Sequence, residues 1–183
     1  MSSGNVQAIS GVSAGIENMV MTVYPSIASD GIGRLLGRLY EAIPVRICGI
    51  KLSNLLFTLP TIPLALLLYF WTKVAGRRYV LTNRSIQIWR IRILAMFVLD
   101  LSGDWVIGEY PLTNVDEIEV EQLDGQQFYH AADLVLLDSS GSELGRLEAV
   151  PRAEIFRQTI LEARDALTQT EAALATISAR QTA

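Results

Sequence analysis

The longest apolar stretch of the chain runs from Leu52 to Trp71, LSNLLFTLPTIPLALLLYFW, and contains no Asp, Glu, Lys, Arg or His. At about 1.5 Å of rise per residue, a helix of this length crosses a hydrocarbon core of roughly 30 Å. Tyr69 and Trp71 supply interface aromatics, and Lys73, Arg77 and Arg78 follow as a basic stop. Pro60 and Pro63 each remove a backbone donor and crowd the preceding turn, so a bend is expected near the middle. Residues 52–72 therefore read as a membrane segment. It is either a kinked single span or a re-entrant hairpin that keeps both ends on one side.

Ahead of this stretch the pattern is weaker. Residues 1–30 are rich in Ser, Gly and Ala, with scattered apolar positions at Ile16, Met19, Val20 and Met21, and read as a loosely ordered arm with at most one short helix. Over residues 31–51, Leu35, Leu36 and Leu39 fall on one side of a helix while Arg34 and Arg38 project from another. Such a helix lies either in the membrane interface with its arginines toward the headgroups or against protein.

After the anchor the apolar period becomes two. RYVLT and RSIQIWRI, with Ile86, Ile88 and Ile91 set against Ser85, Gln87 and Arg90, predict a hairpin around Asn83. ILAMFVL, DWVIGEY, VDEIEVEQ, DLVLLD and ELGRLEAV are further strand candidates, separated by the turn signals SGD, LTN, LDG and SSGS. In VDEIEVEQ, Val115, Ile118 and Val120 all face inward only if a bulge shifts the register by one residue. Pro151 then opens a long helical run. Its apolar stripe of Ile155, Phe156, Ile160, Ala163 and Leu167 can cap an open sheet. Beyond Leu167 the stripe turns mainly to alanine, and residues 168–183 read as a helical tail, either frayed or a docking surface presenting Leu174 and Ile177.

Composition fits one domain plus an anchor in 183 residues. Half the residues are hydrophobic, and the mean hydropathy is +0.32. The formal net charge of -4 argues against a general nucleic-acid binder. Basic residues gather mid-chain and acids follow Asp100, which suggests a membrane-facing basic half and a solvated acidic half. Arg34, Arg38, Arg46 and Lys51 precede the apolar stretch, whereas Lys73, Arg77, Arg78, Arg84, Arg90 and Arg92 follow it. That excess places the C-terminal domain in the cytoplasm, at the inner cell membrane. The start, MSSGNVQAIS, lacks the features of a cleaved signal peptide, so the internal segment is expected to direct insertion.

Candidate chemistry is thin. Cys48 is the lone cysteine, which excludes an internal disulfide and a multi-cysteine metal site. His130 precedes two alanines and Asp133, a spacing that does not assemble a triad on a strand, so it reads as a surface or capping residue. Asp116, Glu117, Glu119 and Glu121 alternate across a strand and read as a solvated surface rather than a metal cluster. The GIGRLLG run with Gly31, Gly33 and Gly37 lacks the preceding strand and the Lys-Ser/Thr ending of a nucleotide loop, so close helix packing is the better account. No catalytic set, cofactor or small-molecule substrate emerges. Lys73, Arg77, Arg78 and Arg84 form a candidate collar for lipid headgroups, each cation gaining about 1 kcal/mol beside anionic lipid.

Three stretches carry a resemblance to bacterial pleckstrin-homology-like membrane proteins. YPSI at 24–27 looks like the short aromatic or His-Pro-Ser box ahead of the family's membrane segment. GRRYVLTNRSIQI at 76–88 looks like the Tyr-x-Leu-Thr start of the domain. The run from Pro111 to Leu167, with PLTNVDEIEV, ADLVLLDSSG and a helix after AVPRAEIF, has the order of the later strands and closing helix. The resemblance implies an α+β fold: an N-terminal membrane anchor helix, then a small β-barrel or sandwich over 76–167 capped by a helix from 152. Family members often have two spans where this chain offers one. The implied function is a non-catalytic scaffold or interaction module that holds its domain at the bilayer and binds another membrane protein. The alternatives are an anionic-lipid headgroup module and an accessory or assembly subunit of a bioenergetic complex, since some assembly factors of photosynthetic bacteria resemble this family.

Overall fold

The computed structural model describes residues 17–47, 49–91 and 105–181. Ile16, Cys48, Arg92 and the strand expected in ILAMFVL lie outside the described residues. In chain order the elements are β1 (Met19–Val23), α1 (Gly31–Glu41), β2 (Arg46–Ile47), β3 (Ile50–Lys51), α2 (Leu52–Val74), β4 (Arg77–Thr82), β5 (Ser85–Arg90), β6 (Trp105–Pro111), β7 (Glu117–Glu121), β8 (Ala131–Leu137), β9 (Glu143–Pro151) and α3 (Ala153–Gln181). Short 3-10 turns stand at Ile27–Ser29, Leu112–Asn114 and Gln127–Tyr129.

The architecture is α+β, with a four-stranded antiparallel sheet in the order β1-β4-β5-β6 and a three-stranded antiparallel sheet in the order β7-β8-β9. β2 and β3 form a minimal hairpin of their own. The predicted hairpin around Asn83 is the β4–β5 pair, with Tyr79 opposite Ile88 and Leu81 opposite Ile86. Its alternation holds in part: Ile86, Ile88 and Ile91 are buried and Arg90 is exposed, but Ser85 is buried as well. DLVLLD falls in β8 except for Asp138, and this strand stands between two partners and is buried from Ala131 to Leu136. A central strand covered on both sides takes a nearly continuous apolar run.

One core draws on both sheets and the last helix. Tyr79, Leu81 and Ile86 come from the four-stranded sheet; Ile118, Leu134, Leu136 and Leu147 come from the three-stranded sheet; Phe156 and Ile160 come from α3. Tyr79 also ties the sheets by polar bonds. Its hydroxyl donates to the Glu148 carbonyl at 3.0 Å and accepts from the Glu148 amide at 2.9 Å. Burial pushes the Tyr79 phenol well above its ordinary value. Asp133 is the buried polar pin of the second sheet, accepting from Gln126 Nε2 at 2.6 Å and from the Ala149 amide at 2.8 Å. The second bond is made to a residue in a left-handed conformation, Ala149 with φ 48°, that a non-glycine residue seldom adopts.

Several expectations are corrected. Residues 19–23 are not part of a loose arm: they form an edge strand paired with β4, Val23 facing Tyr79. The apolar helix α2 therefore does not precede the domain but is inserted between the first two strands of its sheet. The two sheets share no ladder among the described residues, so they stand as separate sheets rather than a closed barrel. β7 pairs with β8 in unbroken register and needs no bulge. Val115 and Ile118 are buried, but Val120 is 40% exposed near the end of the strand. Pro151 ends β9 instead of opening the helix, and Arg152 turns the chain with φ 50° before α3 begins. Ile155 lies off the stripe at 57% exposed, while Phe156 and Ile160 are each 1% exposed. Ala163 and Leu167 continue the stripe against the core.

These positions separate by energy. Phe156→Ala is expected to cost about 3–5 kcal/mol through lost burial and the cavity left behind, whereas Ile155→Ala should stay within about 0.5 kcal/mol; chemical denaturation of the full chain in detergent checks both. Tyr79 predicts an alkaline effect. Its folded-state pKa lies above the unfolded one, so its contribution is present below the unfolded value of 10.0 and is lost as pH rises beyond it. Tyr79→Phe should lower stability by about 1 kcal/mol at neutral pH and flatten the decline above pH 10, read by melting curves across pH.

Candidate membrane-facing site

Leucine, phenylalanine and threonine are compatible with a helix, but a helix of this composition is normally either buried or in lipid. In α2 only Ser53, Leu68 and Thr72 are buried. Leu59 is 77% exposed, and Leu55, Leu67 and Phe70 stand out similarly. α2 is the one helix among the described residues long and apolar enough to cross a membrane. It runs unbroken through Pro60 and Pro63, and 23 residues at about 1.5 Å each extend roughly 34 Å. Thr61, between the two prolines, donates its hydroxyl to the Phe57 carbonyl at 2.6 Å and accepts from the Tyr40 hydroxyl at 2.5 Å.

That second bond belongs to α1, which packs along α2. Leu36 and Tyr40 meet Leu68, with Phe57 and Ala65 beside them. The Ser53 hydroxyl donates to the Tyr40 carbonyl, and Lys51 pairs with Glu41 at 3.3 Å, closing the far end of the helix pair. The same tyrosine also meets the domain: Tyr40 lies against Phe128 with ring centroids 4.6 Å apart. Glycine permits this contact. A Cβ at Gly37 would lie 2.0 Å from the Gly125 carbonyl oxygen, and Gly125 itself turns with φ 86°. Gly33 and Gly37 of the GIGRLLG run thus permit close packing, but against the 3-10 turn at Ile27 and the loop at Gly125 rather than against a helix. Of the two environments considered for this segment, protein packing claims the Leu36 face, while Ile32 and Leu35 remain exposed.

The collar of basic residues is divided. Lys73 places its ammonium 4.0 Å from the Tyr24 ring centroid and 5.7 Å from that of Tyr69. Arg77 pairs with Glu148 at 3.1 Å, and Arg78 stacks its guanidinium over Trp89 at 5.1 Å. These three stand where α2 leads into β4. Arg84 lies past the other end of β4, and the strand from Arg77 to Thr82 spans roughly 17 Å. Arg84 instead joins a groove of about 330 Å³ whose walls include Val20, Ala163, Ala166, Leu167 and Leu174. Leu174 lines this groove, whereas Ile177, 47% exposed, lies beyond it.

The other polar candidates hold structure. His130 adopts φ 49° at the end of a 3-10 turn, and its carbonyl accepts the Arg152 amide at 2.9 Å. Asp133, engaged by Gln126 and Ala149, also faces Arg146 at 3.6 Å. Glu121 pairs with the same arginine at 2.5 Å. Residues that the sequence pattern did not single out as a site come together beside Arg77: Asp30, Trp71, Thr72, Arg90 and Glu148 surround a polar cleft. Their numbers are too far apart in the chain for any motif to signal them. Comparison with known proteins adds no relative: no family model, curated protein or solved structure matches the chain.

Gly37→Leu should detach α1 from the loop at Gly125, at a cost of roughly 1–3 kcal/mol from overpacking, and should speed proteolysis between residues 31 and 51. Gly31→Ala, whose added Cβ meets nothing within 4 Å, should leave both melting and proteolysis as they were.

Proposed function

We propose that the protein is a non-catalytic, membrane-anchored scaffold, in which a pleckstrin-homology-like domain is held at the cytoplasmic face of the inner membrane to position or stabilise another membrane protein. The observation that carries this reading is the insertion of α2, apolar and mostly exposed, between two hydrogen-bonded strands of one sheet. Exposed leucine and phenylalanine side chains over that length lose free energy when moved from water into hydrocarbon, about 25 cal/mol for each Å² removed. A bilayer is the solvent that suits them. The pleckstrin-homology-like assignment is supported by strand count and order, four then three antiparallel strands followed by one helix packed on the shared core.

Because β1 and β4 are ladder neighbours, both arms of the insertion begin and end at the same sheet. An α2 that enters the bilayer must therefore be matched by a return of the chain through α1 and the β2–β3 hairpin. This favours a hairpin-like anchor with both ends on one side over a single span with its arms on opposite sides. The six cations that follow the apolar stretch, against four before it, favour the cytoplasmic side. The partner surface in this reading is the groove at Arg84 and Leu174, remote from the anchor. Non-catalytic positioning is supported by the roles of His130, Asp133 and Glu121, which are taken up by turns, backbone amides and an ion pair.

The full chain should float with membranes after carbonate or high-salt washing, since salt screens headgroup attraction but leaves hydrocarbon burial intact. Leu56→Lys combined with Leu59→Lys should release it, at a penalty of about 2.5–3.5 kcal/mol per charge near the bilayer centre. Reporters fused before Ser2 and after Ala183 should both score as cytoplasmic. Opposite locations for the two ends would overturn the hairpin reading, and complete release of the unaltered chain by salt would overturn the anchor itself.

A further inference from the structure

Where α2 meets the sheet, a cleft of about 180 Å³ is bounded by Asp30 at the head of α1, Trp71 and Thr72 of α2, Arg77 of β4, Arg90 of β5 and Glu148 of β9. Clefts for drug-sized ligands run from roughly 300 to 1,000 Å³, so this one suits a smaller polar group. Its charges come in both signs. Arg77 and Arg90 face each other directly across the β4–β5 ladder, a pairing of like charges that is unfavourable unless anions answer it. Glu148 answers Arg77 at 3.1 Å. Among the described residues, neither the Arg90 guanidinium nor the Asp30 carboxylate has an ion-pair partner. The negative end of α2 lies at the same place, while Asp30 itself stands at the positive head of α1. Trp71, 56% exposed, stands beside the cleft, at the level where aromatic residues meet lipid headgroups.

We propose that this cleft seats a phosphoethanolamine headgroup of the bilayer. Arg90, with Arg77, takes the phosphate, and Asp30 takes the primary ammonium. This assignment rests on the membrane reading of α2. A purely anionic headgroup would leave Asp30 unanswered and meet repulsion from Asp30 and Glu148. A phosphocholine headgroup has no N–H to donate, so it cannot form the charge-assisted bond that a carboxylate accepts from a primary ammonium. A quaternary ammonium is better matched by an aromatic cage, and among the described residues Trp71 is the only aromatic ring lining this cleft.

The test uses the full chain in detergent, incubated with equal amounts of phosphatidylethanolamine, phosphatidylcholine and phosphatidylglycerol bearing the same acyl chains, and retained lipid is read by native mass spectrometry. The unaltered chain should retain phosphatidylethanolamine about tenfold over each competitor, the ratio of one good charge-assisted contact. Glycerophosphoethanolamine, which has no acyl chains, should compete for the site, whereas inorganic phosphate should not. Asp30→Asn should erase the preference over phosphatidylcholine, and Arg90→Gln should lower retention of all three lipids. Both side chains are exposed, so melting should be unchanged, and Asp30→Asn decides the matter even if Arg90→Gln proves unstable. Equal retention of the three lipids, preference for phosphatidylglycerol, or unaltered selectivity in Asp30→Asn would overturn the assignment while membrane flotation persists. Loss of flotation by the unaltered chain would overturn the membrane reading with it.

Discussion

The ladder between β1 and β4 is the constraint on which the rest of the molecule depends. It sets Val23 opposite Tyr79, and neighbouring strands lie about 4.8 Å apart. Everything between those residues must leave the sheet and come back to it. The consequence is a helix pair, not a free tether. α1 runs beside α2 through the Tyr40–Thr61 and Ser53–Tyr40 bonds, while the same Tyr40 rests on Phe128 and Gly37 is wedged on Gly125. Closing a loop of this length has an entropic cost that grows only logarithmically with length, about 0.6 kcal/mol for each doubling. A few backbone ladder bonds and one packed helix are enough to offset it. The domain is consequently fixed in orientation to α2, because β4 follows that helix after only two residues.

Much of this fold was legible in the sequence where burial follows a local period. Ile86 and Ile88 alternated as a half-buried strand should, the apolar run of DLVLLD marked a strand, and Phe156 and Ile160 carried the helical stripe. The failures share a cause, which is that the deciding partner is far away in the chain. MVMTV at 19–23 is a short, largely exposed edge whose partner begins beyond the apolar stretch. Nothing local distinguishes it from an arm. Val120 is apolar but lies at the edge of its sheet, and Ile155 neighbours Phe156 on a helix where only one of two adjacent positions can face the core. Pro151 looked like a helix opener, yet β9 extends to it because its partner Ala131 is in register there.

The site was legible only in part, for a related reason. A count of cations after Trp71 treats Lys73, Arg77, Arg78 and Arg84 as one cluster, since they fall within a short stretch of chain. An extended strand breaks such a cluster, because each residue advances the chain by about 3.3 Å. Arg84 is thereby carried to the opposite end of the sheet, while Arg90 is returned to face Arg77. Proximity in sequence means proximity in space only when the intervening structure turns. Asp30 and Glu148 were invisible for the converse reason. They reach the cleft through the start of α1 and the middle of β9, placed there by Ser26, whose amide donates to the Ala149 carbonyl at 2.9 Å.

The separation produced by β4 gives the scaffold reading its geometry. One end of the sheet carries the cleft, Trp71 and the exit of α2; the other carries the turn at Asn83 and Arg84 and the groove along α3. The two surfaces differ in chemistry as well as place. The cleft is charged in both signs, whereas the groove walls are largely Val20, Ala163, Ala166 and Leu167, with Arg84, Glu162 and Glu171 at hand. A bilayer occupying the first end leaves the second unobstructed, because a rigid sheet stands between them. Helix α3 continues past Leu167, the last of its core residues, to Leu174 and beyond. That extension does little for the core, whose helical contacts end at Leu167, but it builds the far wall of the groove. In the scaffold proposed above, that length serves the groove rather than the stability of the domain that bears it.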